Sequence, residues 1–294
     1  MILAARLIDR FGKGVRGAPR DALIADLAPA HLRGASFGLR QSLDTVGAFV
    51  GPLIAATLML VWQNDFRRVF WVAVIPGVLS VVLLLIGIKE PAEVVVHERR
   101  NPLNKQNLAR LDRHYWWVVT LASIFTLARF SEAFLVLRAQ QIGVPIGLVP
   151  LVMVAMNIVY SASAYPFGKL ADRISHMRLL GLGIAVLIGS DIFLATASQW
   201  GQLLFGVCLW GIHLGLTQGL LSKLVADASP VDLRGTAYGF FNLMSGVSLL
   251  MASTLAGLLW ERFGAPVTFF SGILFCVISL VVMWYRPRGN SPRN

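Results

Sequence analysis

ADLAPAHLRGASFGL, residues 25–39, returns as ADASPVDLRGTAYGF at residues 226–240. At a constant offset of 201 residues, seven of fifteen positions are identical: Ala25 and Ala226, Asp26 and Asp227, Pro29 and Pro230, Leu32 and Leu233, Arg33 and Arg234, Gly34 and Gly235, Gly38 and Gly239. Self-similarity at such a distance marks two related structural units. Both copies lead into an apolar run in the same sense, so the units are expected to lie parallel.

The surrounding chain says what those units are. Its 294 residues are 56% hydrophobic and only 14% charged, with a mean hydropathy of +0.68. A soluble domain carries about a quarter charged residues, so an all-α integral membrane protein is expected. A bilayer core about 30 Å thick needs about 20 helical residues. Apolar runs of that order fall at roughly 35–62, 66–88, 115–139, 143–167, 179–197, 200–225, 235–260 and 264–285, and the opening 1–26 is a ninth, charged candidate. The one long polar stretch, KEPAEVVVHERRNPLNKQNLARLDRH at 89–114, reads as a linker. It divides the chain into a partial first bundle (1–88), the linker (89–114), a six-helix second bundle (115–286) and a tail (287–294).

Loop charge orients these spans. With the linker inside, the same side holds fifteen Lys and Arg, including Arg33, Lys169, Arg173, Lys223 and Arg234, against Arg67, Arg68, Arg138 and Arg262 opposite. That bias places linker and C-terminus in the cytoplasm. Basic residues scattered over loops also argue against a nucleic-acid partner, despite a net charge of +11. Cys208 and Cys276 sit inside apolar runs and read as packing residues. No metal-ligand cluster, cofactor loop or nucleophile–base pair occurs, so no metal, no cofactor and no enzyme are expected.

Applied in reverse, the 201-residue offset leaves the spans of 115–197 without counterparts, which would precede Met1. The expectation is a six-plus-six protein lacking its first three helices, through a misplaced start or a real truncation.

The opening helix carries its charge in a pattern. Arg6, Asp9, Lys13, Arg16 and Arg20 recur at steps of 3 and 4, which puts all five on one helical face. GKGVRG within this stretch lacks the spacing of a phosphate-binding loop. A charge facing lipid costs about 2.5–3.5 kcal/mol, so the stripe must face protein or water. Arg40 and Asp44, one turn apart on the next span, and Arg129 and Glu132, three residues apart in 115–139, are expected to neutralise each other. Asp191, His213, Gln218, Asn157, Tyr160 and Tyr165 are expected to be packing residues, with His213 a weaker candidate for substrate contact.

Parallel six-helix repeats joined by a cytoplasmic linker resemble the major facilitator superfamily of secondary transporters. GKLADRISHMR (168–178) is similar to that family's loop signature; RLIDRFGKG (6–14) resembles its fourth-helix motif, with Asp9 and Arg10 in place of Gln-Gly. GAFVGPLIAA (47–56) resembles the fifth-helix motif of proton-coupled exporters, with Ala55 and Ala56 in place of two glycines. The resemblance implies MFS-type helical bundles around a central cavity lined by the charged stripe, Arg40, Asp44, Arg129 and Glu132. It implies a small-molecule substrate and protons as partners, with Glu132, Asp9 and then Asp44 as proton carriers, since a carboxyl in a low-dielectric cavity can bind and release a proton. Gly168, Asp172 and Arg173, with Asp26, Arg33, Gly34, Asp227, Arg234 and Gly235, would form a gate in which Asp172 docks on the start of the 35–62 helix. Gly47, Gly51 and Pro52 would let helices approach and bend. A monomer in the bilayer of a bacterial inner membrane, exporting its solute, is the expectation; an uptake symporter of an anionic metabolite and a non-transporting remnant stay open.

Overall fold

A computed structural model describes residues 2–63, 65–87, 108–145 and 148–285, with side chains from Arg16 onward in the first helix. Regular structure among them is helical throughout: α1 (Ile2–Leu27), α2 (Arg33–Val61), α3 (Phe66–Gly87), α4 (Arg113–Leu127), α5 (Ala133–Gln141), α6 (Val149–Ala171), α7 (His176–Thr196), α8 (Trp200–Asp227), α9 (Arg234–Phe263) and α10 (Ala265–Trp284). Seven helical segments, from Ala30–Val61 to Ala265–Trp284, are long and apolar enough to cross a membrane. Most of the expected linker, residues 88–107, and the tail 286–294 lie outside the described residues.

The run 115–139, expected as one span, is two helices. α4 starts where the Asp112 carboxylate accepts the Tyr115 N–H at 2.8 Å, and it stops at Leu127. Ala128 to Glu132 are non-helical, and α5 resumes at Ala133. Irregular backbone at membrane depth persists only where protein or a cavity satisfies it. Here Ser253 Oγ of α9 accepts the Ser131 N–H at 3.2 Å, and the exposed side of the break faces a cavity. The expectation failed because hydropathy averages over a five-residue interruption whose apolar flanks are intact.

The 201-residue repeat is structural. A 3-10 turn at Ala30–Leu32 precedes α2, and its counterpart at Val231–Leu233 precedes α9. Pro29 (φ −53°, ψ 145°) and Pro230 (φ −56°, ψ 145°) enter these turns in one conformation, as a fixed proline φ dictates. Arg33 and Arg234 each begin the helix that follows.

Close packing relies on missing side chains. A Cβ on Gly34 would stand 2.5 Å from the Gly168 carbonyl oxygen, one on Gly38 2.5 Å from the Ala164 carbonyl oxygen, and one on Gly211 2.6 Å from the Met156 carbonyl oxygen. Small residues let membrane helices approach in this way, so dispersion replaces the missing hydrophobic drive. At Gly47 and Gly51 no atom comes within 4 Å of that position among the described residues. Among the described residues the close approach of α2 therefore occurs within its first two turns, and not at the Gly47, Gly51 and Pro52 motif.

Candidate functional site

The two repeat copies meet each other. Arg33 Nη1 donates to Asp227 Oδ1 at 2.9 Å, and Arg234 Nη1 donates to Asp26 Oδ1 at 2.5 Å. Each arginine thus pairs with the aspartate of the opposite copy, as two-fold symmetry between parallel halves requires. The rings of Phe37 and Tyr238, also repeat counterparts, face each other with centroids 6.2 Å apart, and both are fully buried. Tyr238 hydroxyl donates to the Ser222 carbonyl at 2.7 Å, which satisfies its polar end.

Asp172, at the end of α6, completes this layer. Its two carboxylate oxygens accept the backbone N–H groups of Gly34 and Ala35 at 2.9 and 2.8 Å, the unpaired donors at the start of α2. An anion there also benefits from the helix dipole. Lys223 Nζ donates to Asp172 Oδ1 at 2.6 Å and to the Ala171 carbonyl at 3.0 Å. Lys223, expected in a cytoplasmic loop, is buried inside α8, because that helix continues to Asp227. Arg173 points into solvent beside it.

Between the halves lies a cavity of about 1030 Å³. Arg20 and Asp21 of α1 and Arg40 of α2 line one wall; Arg129 and Glu132 from the helix break, with Gln218, Asn242 and Ser245, line the other. Its α9 wall runs from Phe241 to Ser253, which at 1.5 Å per residue starts about 10 Å from Arg234 and extends to about 28 Å. The cavity thus leads away from the layer of ion pairs.

The charged groups here form a network rather than isolated pairs. Arg40 Nη1 lies 3.2 Å from Asp44 Oδ2 and 3.6 Å from Asp21 Oδ1. Arg20 reaches Asp21 Oδ1 at 3.2 Å and Asp44 Oδ2 at 3.4 Å. The expected Arg40–Asp44 pair is present, and Arg20 is compensated by Asp21, which the stripe pattern omits because it falls off the 3-and-4 spacing. Arg16 is exposed and is not itself a lining residue, although its neighbour Gly17 is. α1 is helical through Arg6, Asp9 and Lys13, whose side chains lie outside the described residues.

Arg129 and Glu132 differ from the expectation. Both line the cavity, yet no ion pair joins them, because the break removes the helical spacing that would bring them together. Arg129 Nη2 donates to Thr126 Oγ1 at 3.3 Å and its guanidinium lies 4.9 Å over the Phe125 ring, a cation–π contact. Its Nε and Nη1 have no partner among the described residues. Gln218 faces the cavity instead of serving only as packing, whereas His213 is fully buried and lies outside the lining.

Comparison with known proteins agrees with this architecture. The family model for the Major Facilitator Superfamily matches residues 1–149 and 133–294. An uncharacterised MFS-type transporter of Methanocaldococcus jannaschii is 30% identical over 289 residues, covering 95% of this chain and 70% of that protein. The inner membrane transport protein YajR of Escherichia coli is 23% identical, covering 92% of this chain and 60% of that protein. The crystal structure of the human organic anion transporter MFSD10 (TETRAN) superposes with a TM-score of 0.73 at 14% identity, covering 90% of this chain and 67% of that one. The chain therefore spans between about three fifths and seven tenths of the length of these relatives. Fold, repeat and family model together make this chain a multi-pass membrane protein of the Major Facilitator Superfamily, whose members move solutes across membranes.

Proposed function

We propose that this chain moves a small solute by alternating access, coupled to protons and in the direction of export. The observation that carries the reading is the charged cavity between two repeat-related halves, bounded at one end by the reciprocal Arg33–Asp227 and Arg234–Asp26 pairs and the docked Asp172. In this reading Asp172 is a latch: carboxylate contacts to a helix start are strong enough to bias two states and weak enough to break in each cycle. Glu132 lies on the cavity wall without an ion-pair partner among the described residues and is the carboxyl available to exchange a proton with solute or water; Asp21 and Asp44 are already engaged by arginines. Export follows from the likeness of residues 47–56 to the exporter motif.

Arg129 favours a second reading, uptake of an anionic metabolite together with protons. Arg129 lines the cavity, its Nε and Nη1 have no partner among the described residues, and a guanidinium binds carboxylate or phosphate bidentately. Purified protein in sealed vesicles under an imposed pH gradient separates the two. Solute leaving against inward proton flow supports export, solute entering with protons supports uptake, and no flux of solute or proton across a broad panel contradicts both.

A further inference from the structure

Behind the cavity wall, the second bundle holds a carboxyl that the proposed transport cycle leaves idle. Asp191, in the C-terminal third of α7, is fully buried, and neither of its oxygens has a hydrogen-bond partner among the described residues. Its position is nonetheless defined. The point where a Cβ would stand on Gly272 of α10 is 2.6 Å from Asp191 Oδ2 and 3.2 Å from the carbonyl oxygen of Ala128. Ala128 ends α4 at the helix break, and no backbone N–H among the described residues donates to its carbonyl.

Two oxygens that can only accept therefore converge on one small space kept open by a glycine. A carboxylate and a carbonyl repel there, at the negative end of the α4 dipole, and an uncompensated buried charge is costly. A hydrogen on the carboxyl removes both difficulties, because Asp191 becomes neutral and gains an O–H to donate. Sodium suits the site poorly: hard cations collect six or more oxygens, and the space beside Gly272 is met by Asp191 Oδ2 and the Ala128 carbonyl. The titratable neighbours are the Cys276 thiol, one turn beyond Gly272 and within electrostatic reach of both Asp191 and Arg129, then Arg129 at the break, and His213 of α8 and Tyr160 of α6 around Arg129. His213 also has both ring nitrogens without a partner among the described residues. Unwound carbonyls at broken membrane helices are a recurrent place for coupling ions, and an ionisable residue within the membrane is a functional site by default.

We propose that Asp191 is a proton-binding site of the second bundle, distinct from the carboxylates on the cavity wall, with its proton directed at the free carbonyl of Ala128. On deprotonation the proton is released to water, and the resulting carboxylate stands against the helix break that carries Arg129. Since Arg129 lines the cavity, occupancy of the buried site is transmitted to the solute's binding surface without Asp191 touching the solute. This deepens the proton-coupled reading given above, but it is tested by bound protons rather than by flux, so either can fail alone.

The test is infrared difference spectroscopy of the whole chain in lipid between acid and alkaline buffers, with protons as the only added ligand. The wild type should show the carbonyl stretch of a protonated buried carboxyl, and Asp191→Asn should lose that band entirely. Asn is isosteric with the neutral acid, so this variant should keep the wild-type melting temperature. Glu132→Gln, which removes the cavity carboxyl instead, should retain the band. Absence of the band in wild type, its persistence in Asp191→Asn, or its loss in Glu132→Gln would overturn the assignment. So would its removal by sodium at constant pH, which would make the site a cation site.

Discussion

Lys223 Nζ lies 2.6 Å from Asp172 Oδ1, within one bundle, while the same carboxylate binds the N–H groups of Gly34 and Ala35 in the other. Both side chains are almost completely buried. The arrangement lets α2 withdraw from Asp172 without stranding a charge, because Lys223 stays behind as its counterion. Removing one member of a buried pair costs about 3–5 kcal/mol, whereas replacing both by neutral groups is often near neutral. Asp172→Asn should therefore lower the melting temperature in detergent, and the double variant Asp172→Asn with Lys223→Met should recover much of the loss. An equal loss in single and double variants would show that Lys223 is not the counterion.

The reciprocal pairs should be exchangeable in sign. Arg33 and Asp227 are partly exposed, so their contribution to stability is only about 0.2–1 kcal/mol, but like charges at the same place repel. Arg33→Asp should impair closure, and Arg33→Asp with Asp227→Arg should restore it. Thiol labelling of a single cysteine at Ser245 from the loop face reports loss of closure; no recovery in the double variant counts against a direct pair.

Glycine packing makes a steric prediction. Gly168→Ala directs a methyl group into the Gly34 carbonyl across the α2–α6 contact, and overpacking costs about 1–3 kcal/mol. The same substitution at Gly47, where nothing lies within 4 Å among the described residues, should be tolerated. Thermal unfolding of the two variants compares them directly.

Within the cavity, Arg129 and Arg16 should behave differently. Arg129→Gln removes the guanidinium with unpartnered nitrogens from the wall and should weaken binding of an anionic solute by about tenfold or more, the scale of one charged hydrogen bond. Arg16→Gln, at an exposed position not among the lining residues, should leave it nearly unchanged. Calorimetric titration with a solute found in the vesicle screen measures both.

How much of this was legible in the sequence follows from the range of each signal. The repeat, the spans and the docking of Asp172 on α2 were readable, because proline turns, hydropathy and the loop signature are local patterns. The break at 128–132 was not, since its apolar flanks outweigh five residues in any window. Neither Lys223 nor Asp21 stood out, because their roles depend on partners 51 residues away on α6 and across on α2. Asp191 read as packing for a related reason: that its oxygens have no hydrogen-bond partner among the described residues is a property of the packed bundle, invisible along one helix.

The central claim is that the charged cavity is reached from one membrane face while Asp172 holds the other end shut. With Cys208 and Cys276 replaced by alanine, a single cysteine at Ser245 can be labelled by membrane-impermeant thiol reagents applied to either face of oriented vesicles. Wild-type protein should label predominantly from the face opposite the arginine- and lysine-rich loops, and Asp172→Asn should gain labelling from the loop face. Labelling of the wild type mainly from the loop face, or no change on loss of Asp172, would contradict the account.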